Sequence, residues 1–181
     1  MKSEQSTRLL ESFAEALKPP PALTVSEWAE LYRVMSSESS AQRGKWTTRP
    51  FQKEPMDCLS PSHPCQRVVL MCASQMMKTE LILNFLGFIM HIDPGPCLVV
   101  EPRTEDAKAL SKDRVAPMIR DCKELHRRVS EVKGRDSDNT TLHKRFQGGH
   151  VTFTGAISPS GLAMRPIRYA LLDEVDRYPK S

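Results

Sequence analysis

The run from Arg67 to Asn84, RVVLMCASQMMKTELILN, sets what the rest of the chain can be. Four apolar residues, Val68-Val69-Leu70-Met71, lead into the small polar turn Ala73-Ser74-Gln75, then Lys78-Thr79-Glu80 and a second apolar run from Leu81 to Leu86. This is the order strand, phosphate-binding loop, helix. In that order Lys78 reaches the outer phosphates, Thr79 places its hydroxyl on Mg2+, and the backbone amides of Ser74, Gln75, Met76 and Met77 cradle phosphate oxygens. The full pattern is G-x-x-x-x-G-K-[ST], and here Cys72 and Met77 stand at the two glycine positions. The loop is therefore degenerate. Its alternative is a buried strand, a turn and a core helix whose Lys and Thr are incidental.

The other end of the chain supplies the partner such a loop needs. Ile167 to Asp176 reads IRYALLDEVD, an apolar run ending in Asp173-Glu174. Buried parallel strands read as near-continuous apolar runs, and open α/β sheets bind ligands beyond the carboxyl ends of their strands. A carboxylate pair there has two tasks: Asp173 holds Mg2+ and Glu174 polarises the attacking water. Lys-Thr after one apolar run and Asp-Glu after another point together to an ATPase, with ATP and Mg2+ as cofactors. A solvated acidic turn after a plain strand is the alternative.

Between these ends the chain alternates strand and helix signals. Asp93-Pro94-Gly95-Pro96 is a turn. Cys97 to Val100 reads as a strand, and Thr104 to Ile119 as a helix that Pro117 bends or ends, with a further helical piece to about Val132. Leu142–Phe146 and His150–Thr154 flank Gln147-Gly148-Gly149, a hairpin signal. Leu162 to Arg165 suggests a short helix before the acidic strand. Strand–helix–strand order argues for right-handed crossovers in a parallel sheet. Upstream, residues 3–18 have helical spacing, Pro19-Pro20-Pro21 stiffens a linker, and Thr24-x-x-Glu27 is a capping box opening a second helix. The expected division is a helical N-terminal appendage over 1–45 and an ATPase domain over 46–181.

Composition excludes several classes. No apolar run reaches 18 residues, so no membrane span is expected, and the start lacks a signal-peptide core. Five cysteines without a C-x-x-C pair argue against a zinc site and a disulfide framework, and for a reducing cytoplasm. The net charge of +4 lies between Arg103 and Arg145, which carries 12 Lys/Arg against 8 Asp/Glu. That is compatible with a DNA partner, and a solvated helical face explains it equally well.

The ordered set of pieces resembles one family. Trp46 with Pro50-Phe51-Gln52, Ser74-Gln75-x-x-Lys78-Thr79-Glu80, Asp93-Pro94-x-Pro96 and Val99-Val100-x-Pro102-Arg103-Thr104 come first. Asp138-Asn139-Thr140, Lys144-x-Phe146-x-Gly148-Gly149 and Leu172-Asp173-Glu174-Val175-Asp176 follow. From Trp46 to the C-terminus this looks like the large subunit of a tailed-phage terminase of the lambda GpA-like class. The resemblance implies an α/β fold with a P-loop NTPase-type parallel sheet flanked by helices. It also implies ATP hydrolysis coupled to packaging of double-stranded DNA into procapsids, in the cytoplasm of the bacterial host. The partners implied are a small terminase subunit and the portal, with a homo-oligomer in the working motor and no membrane. Residue by residue, Phe51 and Gln52 match the adenine side, Gln75, Lys78 and Thr79 the phosphate loop, Asp173 the magnesium ligand and Glu174 the catalytic carboxylate.

Two departures define the competing readings. Met77 stands where the family has Gly, adding bulk where amides approach phosphate, at a cost on the order of 1 kcal/mol if positive φ is required. The chain stops at Ser181, before any nuclease domain or the later strands of the sheet, so the fold is expected to be incomplete at its C-terminus. Both favour a non-catalytic, truncated prophage remnant with impaired ATP binding. The acidic motif alone also allows a helicase-like P-loop DNA translocase.

Overall fold

The computed structural model describes residues 7, 8, 10, 12, 13, 17, 21–38, 44–73, 76, 78–129, 140–158, 162 and 166–179. The expected helix over residues 3–18 lies mostly outside these, as do the loop over 134–139 and most of the short helix at 162–165.

Helix α1, Val25–Tyr32, starts where the sequence places it. The Thr24 hydroxyl accepts from the Glu27 amide at 3.3 Å and the Glu27 carboxylate accepts from the Thr24 amide at 2.8 Å, closing the capping box. Two two-residue strands follow, β1 (Val34–Met35) and β2 (Gly44–Lys45), paired antiparallel. Helix α2, Pro50–Asp57, opens with proline in its first turn, where a missing N–H costs nothing.

Helix α3, Lys78–His91, is buried continuously from Leu81 to His91. A helix apolar on all sides belongs at the centre of a fold, and α3 has α1 on one side. A Cβ built on Gly87 would lie 2.2 Å from the Trp28 ring, so the indole seats directly on the helix backbone. Trp28 Nε1 donates to His91 Nδ1 at 3.0 Å, satisfying both buried ring nitrogens' shared contact. Helix α1, read from sequence as part of an appendage, thus shares the hydrophobic core.

The main sheet has four strands in the order β4-β5-β3-β6: β3 is Pro96–Glu101, β4 His143–Phe146, β5 Gly149–Gly155 and β6 Tyr169–Leu172. β3 is central and parallel to both β5 and β6, while β4 pairs antiparallel with β5 through the expected hairpin. The fold is α/β, with a mixed sheet in place of an all-parallel one. Gly148 makes the hairpin possible, because its φ of 86° lies in the left-handed region that side chains disfavour.

Between β3 and β4 the chain forms α4 (Thr104–Ala109), a π-helical turn (Leu110–Val115), α5 (Ala116–Asp121) and α6 (Lys123–Arg128). The wide turn sits immediately before Pro117, with the Ala116 amide donating to Ser111. Proline offers no N–H to the carbonyl four residues back and its ring crowds that carbonyl, and a local π turn absorbs the mismatch.

One expected strand is absent from the sheet. Residues 67–73 form no ladder and no regular element, and Val69 and Met71 are 82% and 100% exposed. An apolar run becomes a strand only where a neighbour offers it hydrogen bonds, and β6, the edge strand on that side of β3, pairs with nothing further among the described residues.

Candidate functional site

The carboxyl ends of β3 and β6 lie side by side, and the acidic residues that end them meet there. Asp173 extends the β6 register by one residue, its amide donating to Val100 O at 3.0 Å. Its side chain is buried, and its Oδ1 accepts from the Glu174 amide at 2.8 Å. Glu174 itself turns the chain with φ 48° and ψ 44°, the sole positive φ of a non-glycine residue among those described. Strained backbone of this kind concentrates at functional sites. Arg177 holds the Glu174 carboxylate from the following 3-10 turn, Val175–Arg177. Tyr178 closes the loop, its hydroxyl donating to Val100 O at 2.8 Å.

Glu101 ends β3 and is the member of this cluster that the sequence reading left unassigned. Burial and the negative charge of Asp173, Glu174 and Asp106 push its carboxyl up to about 7. Burial also pushes Asp173 up, with Glu174 adding to the effect, while the Glu174 amide and the positive charge of Lys78 oppose it. The signal for Glu101 was present in the sequence as an acidic residue ending a second apolar strand. Its meaning depends on β3 lying beside β6.

Lys78 is the first residue of α3, and its ammonium acts on Asp173 across the gap between helix and sheet. Thr79 is half-buried beside it. The first amides of a helix lack intrahelical acceptors and carry partial positive charge, which suits a phosphate. Ser74, Gln75 and Met77 lie outside the described residues, and Met76 is 51% exposed. Glu80, next in the motif, is turned to structural use: it pairs with the fully buried Arg33 at 3.3 Å and with Arg114. Arg33 also donates to Asn84 Oδ1 at 3.2 Å and to Val34 O at 2.7 Å. Sequence alone showed no sign of this network, since its members are 34 to 51 positions apart.

On α2, Phe51 is 48% exposed and Gln52 is buried, its Oε1 accepting from the Arg49 amide at 2.9 Å. Four arginines of the basic stretch after β3 are committed to ion pairs: Arg103 with Asp106, Arg114 with Glu80, Arg120 with Glu38 and Asp121, Arg127 with Glu124. Arg168 pairs with Asp93 at 2.8 Å.

Comparison with known proteins bears on the same stretch of chain. A family model for the phage terminase large subunit gpA, ATPase domain, matches residues 40–181. The chain is 27% identical over 130 residues to the terminase large subunit of Escherichia phage lambda, and 28% identical over 130 residues to that of Enterobacteria phage P21. Each alignment takes in 72% of this chain and 20% of the relative, so the chain spans about a fifth of the length of the curated relatives it matches. No solved structure matches.

Proposed function

The chain belongs to the family of the phage terminase large subunit gpA ATPase domain, and from that membership we propose that it binds and hydrolyses ATP at the carboxyl end of its parallel strands. The observation that carries this reading is Lys78, at the amino end of α3, acting on Asp173 at the end of β6. Those are the two positions that a P-loop NTPase-type fold uses for phosphate and magnesium.

The residues present fit Mg2+. Thr79 and Asp173 offer hard oxygen donors, which magnesium prefers. Glu101 and Asp173 end adjacent strands, and burial first, then neighbouring carboxylates, push both carboxyls up, a field that a cation relieves. Magnesium, when bound, offsets the charge of the phosphate oxygens. Lys78 contributes positive charge to the outer phosphates, and the first amides of α3 donate to phosphate oxygens. Glu174, set by its own left-handed backbone and by Arg177, is the carboxylate that orients and polarises the attacking water. The exposed face of Phe51 stacks on the adenine, with Gln52 beside it.

In the wider reading, residues 46–181 carry the ATPase site on a core that α1 completes, and hydrolysis drives packaging of double-stranded DNA into a procapsid inside the host cell. The partners are a small terminase subunit, the portal and further copies of the chain. Because Arg103, Arg114, Arg120 and Arg127 are spent on internal ion pairs, DNA contact rests on the family relationship more than on net charge.

Titration calorimetry with Mg-ATP tests the site, on protein shown by circular dichroism to be folded. Binding by the native chain is expected to fall by at least about tenfold in Lys78→Ala, and Met77→Gly is expected to tighten it by relieving bulk at the phosphate loop. If folded native protein and Met77→Gly both fail to bind, the proposal is wrong.

A further inference from the structure

The loop that joins α2 to the irregular run before α3 brings three side chains together. Cys58, His63 and Cys65 each offer one ligand atom, and these atoms all lie within 4.8 Å of one another. The Cys58 Sγ to His63 Nε2 distance is 3.9 Å. Tetrahedral zinc with Zn–S of about 2.3 Å and Zn–N of about 2.0–2.1 Å places neighbouring ligand atoms about 3.6–3.8 Å apart. The loop therefore needs to contract by about an ångström at most to close on such an ion. We propose that Cys58, His63 and Cys65 form a binding site for a thiophilic divalent cation, zinc, with the fourth position open to solvent.

The absence of a C-x-x-C pair argued against zinc, but that spacing is only one way to gather ligands. Here the spacing is C-x4-H-x-C, and the backbone does the gathering. The Cys58 amide donates to Glu54 O, Ser60 to Asp57 O and His63 to Ser60 O, a chain of turns that folds the loop on itself. Pro61 and Pro64 remove backbone freedom on either side of His63. Ser60 anchors the loop to the core, its Oγ accepting from the Val25 amide at 2.9 Å. The ligands are consequently held near one another before any metal arrives, which lowers the ordering cost of binding.

Two thiolates and a neutral imidazole match a soft or borderline dication and disfavour magnesium, which separates this site from the one at Asp173. Binding releases the two thiol protons to solvent. Ligation through Nε2 puts the imidazole proton on Nδ1, so the 3.2 Å bond from the Cys65 amide to Nδ1 is exchanged for one to water. With Cys65 and His63 exposed, the ion would sit at the surface. Its effect is structural: it would pin the end of α2 to the segment that leads into residues 74–77.

The test uses the full chain produced with zinc in the medium, desalted and assayed for metal, then loaded with Co2+ to read the sulfur-to-cobalt charge-transfer absorption. About one zinc per chain is expected, together with the cobalt–thiolate band. Both are expected to vanish in Cys58→Ser and Cys65→Ser, to weaken by at least about tenfold in His63→Ala, and to survive in Cys72→Ser. Circular dichroism of each variant separates loss of ligand from loss of fold. Zinc that desalting removes, or a cobalt band that persists in folded Cys58→Ser, Cys65→Ser double variant, would overturn the proposal. So would a native mass two hydrogens light from a Cys58–Cys65 disulfide.

Discussion

Glu101 carries a pH dependence that follows from where β3 ends. Its carboxyl titrates at about 7 in the folded chain against an ordinary 4.5, because burial and three neighbouring carboxylates oppose its charge. Between those values the native state holds the proton more tightly than the unfolded state. The contribution of Glu101 to stability is therefore fully present below about pH 4.5 and is lost as pH rises through 7. Glu101→Gln keeps the neutral shape and removes the titration. The variant is expected to be more stable than the native chain at pH 8, by on the order of 2 kcal/mol after discount for solvent at the strand end. Little difference is expected at pH 4. Urea titrations at the two pH values measure this, and parallel losses in both proteins would show that Glu101 is not the group responsible. Asp173 and Glu174 were legible in the sequence because they end an apolar run together. Glu101 was not, since a lone acid at a strand end acquires meaning only from the strand that pairs beside it.

Helix α3 shows what periodicity reveals of an element and what it hides. The apolar stretch from Leu81 onwards gave the helix, and its burial on all sides follows from composition. The first turn is less transparent, because Lys78 and Glu80 carry opposite charges two positions apart and serve opposite ends. The charge of Lys78 acts on Asp173, while Glu80 binds Arg33 at the end of α1 and Arg114 within the π turn. Removing Glu80 would leave the Arg33 guanidinium, whose side chain is 2% exposed, without its counter-charge. Glu80→Ala is expected to destabilise the chain at the lower end of the roughly 3–5 kcal/mol typical of a broken buried pair, since Glu80 itself keeps some solvent contact. Thermal unfolding of Glu80→Ala beside Arg33→Met, Glu80→Met would tell a stranded charge from lost packing: the paired replacement should recover much of the loss. The run at 68–71 is the counter-example. It has the composition of a strand, yet strand formation is a property of two segments, and no described segment pairs with it.

At the scale of the molecule, the helix that caps itself with Thr24 and Glu27 is the test of how the chain divides. The helical signals upstream of residue 45 and the resemblance beginning at Trp46 both suggested a boundary there. The packing crosses it: Val25, Trp28 and Ala29 are fully buried in the same core as α3 and the sheet. Tyr32 and His91 meet ring to ring at 4.8 Å, and Arg33 reaches Asn84 and Glu80. Trp28 rests on the bare backbone of Gly87, so without α1 that groove would open to water along a helix buried continuously from Leu81 to His91. Burial of a tryptophan alone is commonly worth about 3–5 kcal/mol, a large share of the 5–15 kcal/mol that holds a domain together. A chain reduced to residues 46–181 is therefore expected to lose cooperative unfolding and to bind a hydrophobic dye, whereas one reduced to 21–181 keeps both α1 and a sharp transition. If 46–181 unfolds cooperatively near the midpoint of the longer chain, α1 is an accessory laid on a finished core. If it does not, the smallest folding unit begins before Thr24, and any measurement of ATP binding has to be made on a chain that includes that helix.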